Sequence, residues 1–517
     1  MNAPTQTDGS SGRPPGSAVR TPSAKRRGHK TIWFICLLAA IHVFVFSAAF
    51  PFFNNVDEPA QFDLALNYAH GRVPRGLENF SSDGSFYLAF FSSGAFMGVP
   101  EAFPGHRMPP PLWTEPVEKM QQDFDLISAG WRVQTNYEVS QAPLYYALAG
   151  IWWHAGGWLG FHNGRQLYWL RFLNIVLVVA LVWGGYLTAR LVFSENSFIC
   201  LGVPLVLAFM PQTAFYSIGN DPLSAVCFGA VFLCLLKWLS SLKVSPAIGA
   251  FMGLAFAATY LTKMTNVPLL IVAGAAILVR ILRRPATESF RFTLSALAAF
   301  LVCAVPPMIA WTVWCKSNFG DYTGAKLKMD HFGWTIKPFA QWWHHPIFTP
   351  QGMWTYFSGQ MGTFWQGEFT WHYFTMMLPG TNAIYSILSL ALVVAGLTAL
   401  FPKSANTTPT QRQALQWSLA CFLATLVFFA LLSTIYDFHD CPNPSRKDPY
   451  FHAGRMILGV LIPFMLLFVH GLDRALSRFG NIVKFSALGA IISAMLVLEI
   501  ATDWPAFPNE YNWFHLP

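Results

Sequence analysis

Apolar stretches of about 20 residues recur along this chain from Thr31 to Ile500, and they leave it few ways to fold. Wound as a helix, such a stretch spans the hydrocarbon core of a bilayer. With no water there to satisfy backbone N–H and C=O groups, the helix must satisfy its own. The expected fold class is therefore an all-α polytopic membrane protein. Composition supports this: the chain is 54% hydrophobic and 11% charged, and it carries 47 Phe and 20 Trp in 517 residues. Its mean hydropathy is +0.40. A soluble fold would not keep so many aromatic side chains from water with so few charges. The formal charge of +8 is accordingly a matter of membrane orientation, and no nucleic-acid partner is expected.

Eleven spans follow, near Thr31–Phe50, Leu167–Ala189, Phe198–Ile218, Leu223–Leu242, Pro246–Leu261, Val267–Leu282, Phe292–Trp314, Asn382–Phe401, Leu415–Ile435, Met456–Leu472 and Phe485–Ile500. The basic run "KRRGHK" directly before the first span places the N-terminus on the cytoplasmic side. A cleaved signal peptide is disfavoured, because no small-x-small site precedes "PFFNNVDEP". Arg190, Lys237 with Lys243, "RILRRP" after Val279, Lys403 with Arg412, and Arg474 with Arg478 then all fall on the same inner side. The expected organisation is a disordered leader over 1–30, a transmembrane domain over 31–503 and an outer tail over 504–517. Long outer loops occupy about 51–165, 316–381 and 436–455 and carry interfacial helices. The expected location is the cytoplasmic (inner) membrane, with the chemistry facing the periplasm or exterior.

The first outer loop opens with "NNVDEPAQFDLALNYAHG", where Asp57 and Glu58 follow the first span. Acids at the edge of a bilayer need water or a partner. Pro59 suits the first turn of a helix, and an acid before it suits the positive end of the helix dipole. Phe62, Leu66 and Ala69 then recur at helical spacing, which predicts a helix lying along the membrane surface. Capping accounts for one acid and leaves the other unexplained. "SIGNDPL" places Asn220 and Asp221 at an outer hairpin, where capping serves equally well. Lys263, in "TYLTKMTNVPLL", sits between two apolar stretches and needs an anionic partner. Arg455 similarly enters a late span beside His452, and Arg72 with Arg75 follows the first outer helix.

Other features say less. Most of the eight Cys lie within spans, where they behave as small apolar residues, and a bridge between Cys315 and Cys441 is disfavoured. The aromatic segment starting at His331 reads as interfacial anchoring, and its His spacing does not suit a metal.

Taken together, "NVDEPAQF", "QAPLYY", "SIGNDPL", "TFWQGEFTW" and "HAGRMIL" resemble a family of bacterial multi-pass membrane proteins. That family carries a Pro-x-Asp-Glu-Pro-Ala-His-Phe-type signature after the first span. Here Gln61 stands in place of the His, Ala142 in place of a Pro, Thr370 in place of a Gly, and Met456 in place of an aromatic. The family is similar in turn to the GT-C superfamily of membrane glycosyltransferases, which implies a GT-C-like fold and a polyprenyl-phosphate sugar donor. It also implies a glycan or glycolipid acceptor in the cell envelope. On that resemblance Asp57 is the expected general base, with Glu58 orienting the acceptor or tuning its neighbour. Arg455 and Lys263, then Arg72 and Arg75, are expected to hold the donor phosphate. Gln61, Gln141, Tyr145, Tyr146, Asn220, Asp221, Trp365, Glu368 and His452 are expected around the sugar and acceptor. No obligatory cofactor is expected, and a divalent metal is possible without being required. A transporter or flippase for lipid-linked sugars, or a glycan ligase or polymerase, stands as the alternative.

Overall fold

The computed structural model describes residues 22–241, 243–283, 290–400 and 407–517. Several expectations lie outside them: residues 1–21 of the leader, the span ends Leu242 and Phe401, Arg284 and Pro285 of "RILRRP", and Lys403. The first helix begins at Pro22 and runs without a break into the first predicted span.

Among the described residues eight helices are long and apolar enough to cross a membrane, and Ser197–Ala208, Pro246–Thr262 and Thr381–Leu397 are shorter apolar helices. Together they coincide with the eleven stretches read from the sequence. Two of them depart from a plain helix, and both departures build the site. The third predicted span stops at Ala208 and resumes as a tight 3-10 turn over Thr213–Tyr216. Pro211 cannot donate a helical hydrogen bond there. Gln212 takes over instead, accepting from Ala214 N and donating to the carbonyls of Thr363 and Phe364. The tenth predicted span opens with a 3-10 segment, Gly454–Val460, before the α-helix Leu461–Ala475. Gly454 is required by contact: a Cβ there would lie 2.0 Å from Phe364 N and 2.3 Å from Gln360 O. This backbone-on-backbone approach seats Arg455 against the Pro350–Gln366 helix.

The long segments between apolar helices are joined by two-residue antiparallel pairs. Glu78–Asn79 pairs with Thr135–Asn136, and Thr335–Ile336 with Tyr436–Asp437, tying the segment 316–381 to the segment 436–455. The helix Glu58–Ala69 does not lie on a surface as expected. Residues from Ala60 to Asn67 are buried on every face of it, against Leu144–Trp158 and the aromatic cluster of Phe53, Phe62, Tyr87 and Trp153. The periodic apolar residues of this helix do face a core, but the polar face is enclosed as well. The tail folds back on this same cluster: Tyr168 OH donates to the carbonyls of Phe50 and Tyr511, and Asn509 donates to Ala49 O. Cys315 and Cys441 are buried free thiols.

Candidate active site

Asp57 occupies the position before the first helical turn, yet its side chain makes no capping bond. Its backbone is left-handed, with φ 65°, a conformation that costs a residue with a Cβ and needs support from its surroundings. The support comes from Glu58. Its carboxylate accepts from Phe53 N at 2.9 Å, from Ile218 N at 3.0 Å and from Arg171 at 2.8 Å. Arg171 in turn donates to the carbonyls of Ser47, Phe50 and Pro51, so the pair clamps the chain where the first span ends. With its oxygens so taken and only 1% of the side chain exposed, Glu58 shapes the turn and does not reach a substrate. This corrects the catalytic expectation for Glu58.

The turn projects Asp57 the other way. Tyr137 OH donates to Asp57 Oδ1 at 2.7 Å, and the Arg455 guanidinium pairs with Oδ2. Arg455 also donates through Nε to Glu368 at 2.6 Å and lies 3.6 Å from Asp221, which pairs with Lys263. One guanidinium thus gathers carboxylates from the loop after the first span, the Asn220–Asp221 hairpin and the "FWQGEF" element. Burial opposes ionisation of Asp57, but Arg455 and Lys328 outweigh it and hold its carboxyl below the usual carboxylate range. Asp57 therefore stands as a carboxylate at neutral pH.

Around this centre lies a second layer. Tyr146 OH donates to Gln61 Oε1, and Gln61 donates to Glu138 at 3.4 Å. Gln141 also donates to Glu138, while Asn220 donates to Gln141 Oε1 at 3.2 Å. Tyr145 OH accepts from Gly219 N at 3.0 Å, fixing the hairpin that carries Asp221. Lys328, from the long segment 316–381, pairs with Glu138 and stacks its ammonium over the Tyr137 ring at 5.0 Å. A narrow cavity beside Arg455 is lined by Asn55, Gln61, Ser217, Gly219 and Asp221.

Several expected residues lie elsewhere. Arg72 is exposed and bonds Asn67, and Arg75 is also exposed, so neither joins the cluster. Lys263 does join the cluster, buried and paired with Asp221. Trp365 packs in the core, stacked on Tyr385 with its indole N–H on Ser389, so it offers no face to a sugar. His452 sits against Gly359 and 3.5 Å from Asp448, apart from the Asp57 centre. Tyr137, Glu138 and Lys328 were not anticipated. Tyr137 and Glu138 follow Asn136 in "NYEVSQAPLYY", one element before the residues singled out, and Lys328 had no marker beyond its charge. Among the described residues no three His, Cys, Asp or Glu side chains converge as a metal-ion site.

Apolar helices around a buried ionic centre define a multi-pass helical membrane protein. Residues 38–438 match the family described as "Predicted membrane protein (DUF2142)". The chain belongs to that family. No curated protein matches it. Among solved structures it is similar to the archaeal oligosaccharyltransferase AglB from Archaeoglobus fulgidus, in complex with an inhibitory peptide and a dolichol-phosphate. The identity is 10%, the TM-score 0.40, and the match covers 94% of this chain and 56% of that one. The chain thus spans little more than half the length of that neighbour.

Proposed function

We propose that this protein is a GT-C-like membrane glycosyltransferase. In this reading it moves a sugar from a polyprenyl-phosphate donor to a cell-envelope acceptor, on the outer face of the inner membrane. The observation that carries the reading is the Asp57–Arg455 pair: an ionised acid that caps nothing, joined to a cation at the head of a late span. Transfer requires two charges to be handled at once. The acceptor hydroxyl must lose a proton as its oxygen bonds to the anomeric carbon, and the phosphate must leave with the electron pair of the breaking C–O bond. Asp57 accepts the proton, and Arg455 neutralises the departing phosphate.

The pairing also sets the order of events. While Arg455 holds Asp57, the carboxylate is a weak base. As the guanidinium turns toward the donor phosphate, Asp57 loses its counter-ion and gains basicity. The base is thus strengthened by the donor itself. One base acting in one displacement inverts the anomeric configuration. Gln61, Gln141 and Asn220 form an amide-rich wall suited to sugar hydroxyls.

The test is a panel of radiolabelled polyprenyl-phosphate sugars presented to the protein in nanodiscs with candidate glycan and glycolipid acceptors. Transfer of label supports the reading. Donor binding without transfer to any acceptor, accompanied by movement of label across a vesicle membrane, would replace it with a flippase.

A further inference from the structure

Lys328 differs from the other cations of the cluster in what it has left to give. Arg455 is surrounded by Asp57, Glu368 and Asp221, and its side chain is 10% exposed. Lys263 is 7% exposed and held by Asp221. Lys328 is 30% exposed, and Glu138 takes one of its three N–H donors. Its partner does not depend on it alone, because Gln61 and Gln141 both donate to the same carboxylate.

The helix that carries Lys328 is held from one side only, with Leu327 packed against the core. Ala325–His331 buries none of its residues. It is bracketed by Gly320, Gly324 and Gly333, all with positive φ. At Gly320 and Gly333 no atom lies within 4 Å of where a Cβ would be. Phe332, just past the helix, packs on the Tyr137 ring at 5.1 Å, and Tyr137 is the donor to Asp57. A group arriving at Lys328 is therefore one aromatic ring away from the carboxylate.

We infer that Lys328 receives the phosphoryl group of the lipid-linked ligand on the open side of the cluster, using N–H donors that Glu138 leaves free. This rests on the transferase reading and adds to it the residue that takes the phosphate before Arg455 does. The ammonium keeps its pair with Glu138 while the phosphate occupies its exposed side, so no buried charge is stranded.

The experiment measures affinity of the purified full-length protein in nanodiscs for polyprenyl monophosphate, with polyprenol as the uncharged probe. The proteins compared are the native chain, Lys328→Met, Lys328→Arg, and Lys328→Met combined with Glu138→Gln. The double variant leaves no carboxylate unpaired and guards against misfolding of the single one. Expected are loss of about tenfold or more in affinity for the phosphate lipid in both Met variants, recovery in Lys328→Arg, and unchanged affinity for polyprenol. Native discrimination between the two lipids that persists in the Met variants would overturn the assignment and leave the transferase reading standing. Equal affinity of the native protein for both lipids would overturn both. A Lys328-dependent response to inorganic phosphate matching that to the lipid would overturn the lipid as the source.

Discussion

Glu58 and Arg171 meet at 2.8 Å with each side chain 1% exposed, and this pair rather than a helix cap explains why two acids stand together after the first span. Glu58 fixes the turn, and the turn delivers Asp57 to Arg455. Removing one partner of a buried pair leaves an uncompensated charge and typically costs about 3–5 kcal/mol. Arg171→Met is therefore expected to lower the thermal unfolding midpoint strongly. Asp57→Asn leaves Arg455 in contact with Glu368 and Asp221, so its midpoint should fall far less. Thermal unfolding of the two variants in one detergent checks the contrast, and equal losses would contradict it.

Gly454 supplies a second prediction. Its Cα hydrogen faces the backbone of Phe364, with no room for a methyl group. Gly454→Ala must push the head of the late span off the Pro350–Gln366 helix and shift Arg455 with it. Expected is destabilisation of about 1–3 kcal/mol, the usual range for overpacking, together with loss of transfer activity. Gly480→Ala is the control, since nothing lies within 4 Å of a Cβ there.

His345 sets an acid limit on stability. Its Nδ1 accepts from Ile347 N at 3.1 Å, so the ring is neutral with its proton on Nε2, which donates to Pro449 O at 3.0 Å. Burial pushes the imidazole down from 6.5 to about 4. Between those values the unfolded chain binds a proton that the folded chain refuses, so folding stability is whole above pH 6.5 and falls as pH drops toward 4. A shift of that size corresponds to about 3 kcal/mol. Asp437, held down to about 2 by Arg446, loses its share only at lower pH. His345→Gln should flatten the stability profile between pH 6.5 and 4, measured by denaturation at stepped pH.

The donor-linked base makes a kinetic prediction. With Arg455 on Asp57, the carboxyl titrates below its ordinary value of 3.8, so the acid limb of kcat/KM, which reports the free enzyme, should lie below that value. With donor saturating, the acid limb of kcat should lie at higher pH than that of kcat/KM, because the guanidinium has moved to the phosphate and no longer holds the Asp57 carboxyl down. Coincident acid limbs would contradict the exchange.

Much of the fold was legible because the bilayer makes span length and apolarity nearly sufficient: eleven stretches were expected, and the structure places apolar helices at each. The breaks were less legible. Pro211 marks its own break, but what the break is for lies in the opposing Pro350–Gln366 helix, where Gln212 bonds two carbonyls and Gly454 packs backbone on backbone, and no local pattern records that. The apolar spacing of Glu58–Ala69 fits one face and so predicts a surface-lying helix, whereas tertiary packing encloses the other face as well. The site was partly legible. Asp57, Asp221, Glu368 and Arg455 stand out in the sequence as acids and a cation beside apolar stretches, and they do converge. Of the two roles expected for Glu58, orienting the acceptor does not suit a carboxylate enclosed by Arg171, Phe53 N and Ile218 N, whereas acting on its neighbour does, because Glu58 holds the turn that presents Asp57. Lys328 was missed because it reaches Glu138 across 190 positions of sequence.

The central claim is that Asp57 takes the acceptor proton. The most direct measurement is single-turnover sugar transfer from a bound polyprenyl-phosphate sugar by the native protein and by Asp57→Asn, at matched donor occupancy. The account predicts that Asn, isosteric and unable to accept the proton, lowers the transfer rate by about 10²–10⁴-fold while the donor stays bound. Transfer at the native rate in the Asp57→Asn protein would contradict it.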